Sequence, residues 1–292
     1  MIFCSAVSGW SPLRQGVTND ILAEPLPGKD LMLDSMDKII LTLDVGNTQA
    51  KARPARAMGT FGETLAVSGH KDFDAAAWAG FLERAVAGTR PEALVLASVV
   101  PAVDGLLRQA AARLGWAALA VPRDLAVPLE NRYARPAEVG ADRLVGSFAA
   151  RRMFPDQERL VVVDFGTATT FDCVTGDAFL GGLICPGLLS ASRALHQETA
   201  KLPLPTLELL SGDLHIGLST MDSMNQGLLF GAAAQVEGLT RRLAGVMGGE
   251  VFVLATGGLA ERVARVCPVI RAVVPDLLAE GLARVYFDSA RS

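Results

Sequence analysis

The chain has 292 residues, half of them hydrophobic and a fifth charged, with a formal net charge of −4. That balance belongs to a folded globular protein with one large core or two fused ones, and it excludes a disordered chain. The acidic charge, with no basic block, argues against sequence-independent nucleic-acid binding. The four scattered cysteines and three histidines lack metal-ligand spacing.

Residues 1–35 hold Gly, Pro, Asn and Asp without a clear period. They read as a leader outside the fold: a disordered extension, or the product of an upstream start codon, with a functional leader as the alternative. Met1 to Val7 lack the basic flank and long apolar region of a signal peptide. No apolar run approaches the roughly 20 residues needed to span a bilayer, so a cytoplasmic protein with no membrane partner is expected. Met36 opens "MDKIILTLDVGNT", which reads as a natural start. The run "IILTLDVGNTQAK" (39–51) is a buried strand ending in a turn. Trp78, Phe81, Leu82 and Val86 fall at helical spacing. "ALVLASVVP" (93–101) is a second buried strand, stopped by Pro101. Val103, Leu106, Leu107, Ala110 and Leu114 form a helical stripe, and Leu144, Val145 and Phe148 form another after Asp142. "LVVVDFGTATTFD" (160–172) is again a buried strand and turn. A long helix follows through Leu228, Leu229, Ala232, Val236, Leu239 and Leu243. "EVFVLATGGLA" (250–260) is a strand entering a glycine turn. "PDLLAEGLARVY" is a last helix with Asp276 as its N-cap. Strands alternate with helices in both halves, so the fold is α/β. The boundary is expected at "FPDQER", near 155, giving halves at 36–155 and 156–292. Cys173 and Cys185 are expected to be buried, reduced thiols.

Two of these segments repeat one another. Each is an apolar run followed by Asp, one residue and Gly, then a threonine one or two places on (Thr48, Thr167), with the aspartates at Asp44 and Asp164. An Asp-x-Gly turn at a strand's C-terminal end lies where ligands bind in open α/β sheets. Glycine and small hydroxyl residues leave backbone N–H groups free for a phosphate, and the aspartate supplies a hard oxygen for a cation. One such turn is most simply a hairpin. Two, with a third glycine turn at Gly257–Gly258, read as a triphosphate gripped from both sides. There is no Gly-x-x-x-x-Gly-Lys-Ser/Thr loop and no Gly-x-Gly-x-x-Gly after a first strand. Asp-Phe-Gly occurs at 164–166, but the lysine and catalytic-loop motifs of protein kinases are missing.

The duplicated arrangement resembles the superfamily of acetate and sugar kinases, heat-shock ATPases and actin. Within it, "DVGNTQAK" (44–51), "GADR" (140–143), "DFGTATTFD" (164–172), "GGLICPG" (181–187), "TAKLP" (199–203), "STMDSMNQG" (219–227) and "ATGGLA" (255–260) resemble, in order, the type III pantothenate kinases. The resemblance covers about 39–287. It implies duplicated ribonuclease-H-like (actin-like ATPase) domains, each a mixed sheet flanked by helices. It implies phosphorylation of pantothenate to 4'-phosphopantothenate by magnesium-ATP, the first step of coenzyme A synthesis, in a homodimer with active sites near the subunit interface. By the same resemblance Asp44, Val45, Gly46, Asn47, Thr48, Gln49, Ala50 and Lys51 form the first phosphate loop, and Thr167 contacts ATP. Asp142 is the general base. Tyr133, Gly140, Ala141, Asp142, Arg143 and Thr220 line the pantothenate site. Asp164 holds a monovalent cation, potassium or ammonium.

The residue chemistry agrees with these roles. Phosphoryl transfer asks for positioning and charge neutralisation. Gly46, Asn47 and Thr48 can donate to phosphate, and Asp44 is the magnesium candidate. Lys51 adds a charge or snorkels at the surface. Asp142 is otherwise a helix N-cap, and Arg143 can orient a carboxylate, with that of pantothenate as a natural partner. Asp172 reads as a hairpin residue, and "GGLICPG" as a turn lining the site. One departure stands out: "ARPARAMGTFGE" follows Lys51 where the family continues as a hairpin, and Pro54 removes a ladder donor, which puts the second strand in doubt. The alternatives are a related small-molecule alcohol kinase and a non-catalytic accessory transcription factor of the same fold.

Overall fold

The computed structural model describes residues 38–57, 59–209 and 212–290. The leader at 1–35, Met36 and Cys4 lie outside the described residues. In order, the elements are β1 (Ile39–Val45), β2 (Gln49–Arg56), β3 (Thr60–Phe61), β4 (Leu65–Ser68), α1 (Ala75–Ala85), β5 (Ala93–Ser98), α2 (Pro101–Arg113), β6 (Ala117–Ala120), β7 (Glu130–Asn131), α3 (Ala141–Met153), β8 (Arg159–Phe165), β9 (Ala168–Thr175), β10 (Ala178–Pro186), α4 (Leu188–Gln197), α5 (Thr220–Met247), β11 (Phe252–Thr256), α6 (Ala260–Ala264), β12 (Ile270–Val273) and α7 (Leu277–Ser289).

The strands form two sheets of matching order, β3-β2-β1-β5-β6 and β10-β9-β8-β11-β12, with β4 on β2 and β7 on β10. In each sheet an antiparallel hairpin (β1–β2, β8–β9) is extended by two parallel strands. The repeated sequence therefore marks a repeated architecture. Central position explains the unbroken apolar runs: Ile40, Leu41, Leu43 and Val45 in β1 and Leu160, Val161 and Val163 in β8 are fully buried. Each such side chain contributes ~1.5–3 kcal/mol relative to exposure. In α1 the predicted stripe is the buried one, with Trp78, Phe81 and Leu82 inward and the Asp74 carboxylate accepting from the N–H groups of Ala76 and Ala77 as N-cap.

Helices α3 and α7 pack on each other and on the sheets, α3 against β8 and β9 and α7 against β1 and β5. They cross closely because Gly281 has no side chain: a Cβ there would lie 2.6 Å from the Val145 carbonyl oxygen. Among the described residues no helix is long and apolar enough to cross a membrane.

Several expectations need correction. Pro54 does not break the second strand; β2 runs through it, in register with β1 (Leu41 opposite Pro54). Its carbonyl accepts from the Gly62 N–H at 2.8 Å, on the side away from β1. The missing Pro54 N–H points to that same side, between the end of β4 pairing at Ala52 and the start of β3 pairing at Ala55. The Gly62 carbonyl, left without a ladder donor, accepts from Arg53 Nε at 2.9 Å. A side chain replaces the lost bond, so the ladder tolerates the proline. "GGLICPG" is not a turn: Gly181–Pro186 lie in β10, and Gly187 caps α4. Asp276 occupies the N-cap position of α7 without a side-chain cap bond; its carboxylate instead pairs with Arg53 at 2.5 Å. Cys173 is buried as expected, but Cys185 is only half-buried.

Candidate active site

The two Asp-x-Gly turns face each other across a cavity of about 520 Å³ between the sheets. Thr48 Oγ1 lies 3.1 Å from Thr167 Oγ1, so the hydroxyls of the two copies touch directly. The glycine N–H closes each hairpin, Gly46 donating to the Gln49 carbonyl and Gly166 to the Ala168 carbonyl, the second turn being one residue shorter. Gly187 backs the second turn, since a Cβ there would lie 2.1 Å from the Thr167 carbonyl oxygen. That close approach requires glycine.

Around this mouth the cavity gathers Asp44, Gly46, Asn47, Thr48, Gln49 and Lys51 from the first hairpin, Asp142 and Arg143 from α3, and Asp164 and Thr167 from the second hairpin. Lys51 stands opposite Asp44 in the β1–β2 ladder and faces the cavity rather than open solvent. Val45 and Ala50 are fully buried in the core of the first half, so only their backbone can reach a ligand. Ala141 is likewise buried. Gly140 has a steric role: a Cβ there would lie 2.4 Å from Asp142 Oδ1. Asp142 lies within the first turn of α3 and is not its N-cap; its Oδ1 accepts from the Arg143 N–H at 2.8 Å.

Two predicted residues stand apart. Tyr133 lies behind the wall, its ring 6.4 Å from that of Phe179, which in turn underlies the Arg143 guanidinium at 5.7 Å. Thr220, the first residue of α5, lines a separate open groove of about 720 Å³ with Leu195, Leu202, Leu218 and Met224.

The electrostatics are those of crowded carboxylates. Burial raises Asp44 to about 7, with Lys51 opposing and Asp142 and Asp164 adding to the rise. Burial raises Asp164 to about 6, with Asp142 adding to the rise and Lys51 opposing. Asp142 is also raised by burial, against the hydrogen bond and charge of Arg143. Hard oxygens that resist ionisation together gain from a nearby cation. No group of three or more potential ligands is gathered closely enough among the described residues to hold a metal ion alone. A cation here would take further ligands from phosphate or water, the usual arrangement for magnesium in kinases.

Sequence reasoning missed one site residue. Asp172 is not merely a hairpin residue: it is 4% exposed and receives Arg143 Nε at 2.7 Å and Thr170 Oγ1 at 3.2 Å. The available signal was strand alternation, which puts Thr170 and Asp172 on one face of β9.

Opposed Asp-x-Gly turns, a carboxylate cluster and a carboxylate beside an arginine on a duplicated fold fit an ATP-dependent small-molecule kinase. A family model, that of the type III pantothenate kinases, matches residues 40–242. A type III pantothenate kinase of Nitratidesulfovibrio vulgaris is 56% identical over 199 residues, 68% of this chain and 76% of that one. Another, of Oleidesulfovibrio alaskensis, is 45% identical over 264 residues, 87% of this chain and 98% of that one. The chain belongs to the type III pantothenate kinase family. Distant solved structures share the fold alone. A Campylobacter jejuni protein described as a Baf family transcriptional activator aligns with TM-score 0.57 at 17% identity, covering 86% of this chain and all of that one. A ROK family protein of Streptococcus pneumoniae aligns with TM-score 0.51 at 12% identity, covering 87% of this chain and all of that one.

Proposed function

We infer that this protein transfers the γ-phosphoryl group of ATP to the primary hydroxyl of pantothenate, the first step of coenzyme A synthesis. The observation that carries the reading is the direct meeting of the two phosphate turns at Thr48 and Thr167, with Asp142 and Arg143 on the same cavity wall. Family membership names the acceptor.

In this reading the free N–H groups and hydroxyls of Gly46, Asn47, Thr48 and Thr167 hold the triphosphate. Lys51 neutralises charge that builds on the transferred group. Asp44 is the carboxylate that would hold magnesium, and Asp164 the one that would hold potassium or ammonium. The hard-oxygen set, and the crowding of both carboxylates with Asp142, fit these roles. When bound, such cations neutralise phosphate charge and orient the phosphates. Asp142 accepts the hydroxyl proton as the oxygen attacks phosphorus, and the burial that raises its proton affinity suits a base. Arg143 is the cationic partner for the acceptor.

Ile216 and Leu218 are 87% and 94% exposed beside Thr220, and we assign this apolar face to a second copy of the chain in a cytoplasmic homodimer. Purified protein with ATP, magnesium and pantothenate, with and without potassium, should form phosphopantothenate. Folded protein that forms none at any potassium level would overturn the reading. Asp142→Asn should lower turnover by ~10²–10⁴-fold while the melting temperature holds; near-normal turnover would remove Asp142 as the base.

A further inference from the structure

The hairpin partners offer an internal comparison. In the β1–β2 ladder Arg53 stands opposite Thr42; in the β8–β9 ladder Asp172 stands opposite Val162. Counting back along each ladder from the aspartate of the turn, Arg53 and Asp172 occupy equivalent positions. Each reaches the start of a crossing helix, Arg53 to Asp276 before α7 and Asp172 to Arg143 in α3. The polarity is reversed between the copies, so strand geometry does not itself demand a carboxylate at 172. What distinguishes the second copy is the neighbour of its partner, since Arg143 directly follows Asp142.

Arg143 is held from three sides. Its Nε donates to Asp172 Oδ1 at 2.7 Å, the Phe179 ring lies beneath its guanidinium, and Thr170 fixes the far oxygen of Asp172. Gly182 leaves room for it: a Cβ there would lie 3.1 Å from Nη2. Nη2 is buried as well and pairs with the same Asp172 Oδ1 at 2.6 Å. The Nε–Nη2 edge of the guanidinium is thus clamped on Asp172, while Arg143 lines the cavity beside Asp142. The same residue's N–H holds the Asp142 carboxylate.

We propose that Asp172 is a positioning residue for phosphoryl transfer: it fixes the Arg143 guanidinium at the cavity wall so that Arg143 receives the acceptor beside Asp142. The inference rests on the pantothenate reading above and adds a residue to it. Because Asp172 acts through Arg143, its loss weakens capture of the acceptor and leaves the triphosphate turns, built from other residues, untouched.

The test is steady-state kinetics of Asp172→Asn, Arg143→Gln and the double variant, with melting temperature recorded for each. Asp172→Asn should raise KM for pantothenate about tenfold to a hundredfold, the range for loss of a charged hydrogen bond, with KM for ATP unchanged. In the Arg143→Gln background, Asp172→Asn should add little further, because the two residues act as one unit. Should Asp172→Asn unfold at the assay temperature, Asp172→Glu keeps the charge, displaces the carboxylate and should still raise KM for pantothenate selectively. Equal rises in both KM values, no rise, or additive effects in the double variant would overturn the proposal. Wild-type turnover of pantothenate is read separately, so failure of the pantothenate reading is distinguishable from failure of the role of Asp172.

Discussion

Replacing Asp44 by Asn should stabilise the free protein while disabling it. The folded state raises Asp44 from 3.8 to about 7, chiefly by burial. A carboxyl that binds its proton more tightly when folded favours folding at low pH. Its cost is absent below 3.8, grows between 3.8 and about 7, and is complete above that. The full gap corresponds to ~4 kcal/mol at ~1.4 kcal/mol per tenfold change in proton affinity. Part of it is shared with Asp142 and Asp164, and water reaches the half-buried carboxylate, so ~1–3 kcal/mol is the expected gain for Asp44→Asn at pH 8. At ~2–4 °C per kcal/mol for a chain of this size, that is a rise of several degrees in melting temperature. At pH 5 wild-type Asp44 is mostly protonated, and the gain should shrink. The assay is thermal or urea unfolding of both proteins at pH 5 and pH 8, without nucleotide or magnesium, alongside turnover. An Asn variant no more stable than wild type at pH 8, or a gain of equal size at both pH values, would refute the reasoning.

Other substitutions test the scaffold. Gly182→Ala places a Cβ 1.7 Å from the Phe171 carbonyl oxygen, which forces the β9–β10 pair apart; a loss of ~3 kcal/mol or more in urea unfolding is expected. Arg53→Met removes the pair with Asp276 and the donor to the Gly62 carbonyl; it should lower stability by ~1–2 kcal/mol, seen as a lower melting temperature. Ile216→Asp with Leu218→Asp should convert a dimer to a monomer in sedimentation, since two charges would enter the proposed apolar contact; a dimer that persists would assign the face elsewhere.

The first strand of each hairpin and the crossing helices were legible in the sequence because their signals are local. Four consecutive buried residues in β1 and the 3.6-residue stripe of α1 do not depend on distant partners. The repeat made the two Asp-x-Gly turns visible together, although no pattern indicated that Thr48 and Thr167 would touch. What escaped was set at long range. Pro54 reads as a strand breaker until it is known which side of β2 its missing N–H faces, and that depends on where β3 and β4 end. Asp172 reads as a turn residue until its partner, 29 residues earlier in the chain, is placed beside it. Thr220 matches a family motif yet lies in a different groove from Asp142, and a single chain does not join the two.

The two Asp-x-Gly turns also show how a duplication becomes asymmetric at its ligand. Opposite Asp44 the ladder places Lys51; opposite Asp164 it places Thr170. The first carboxylate therefore has a cation across the hairpin, and the second has a hydroxyl. Asp164 is further confined from above, because a Cβ at Gly257 would lie 2.3 Å from its Oδ1. A lysine beside Asp44 can share the charge of a phosphate that also meets a divalent cation. A carboxylate that meets a hydroxyl across its own hairpin, feels that lysine only from the other hairpin, and is pressed under a backbone turn suits a separate and weaker cation ligand. The different roles proposed for Asp44 and Asp164 thus follow from the residues facing them, although the two turns share one local sequence pattern.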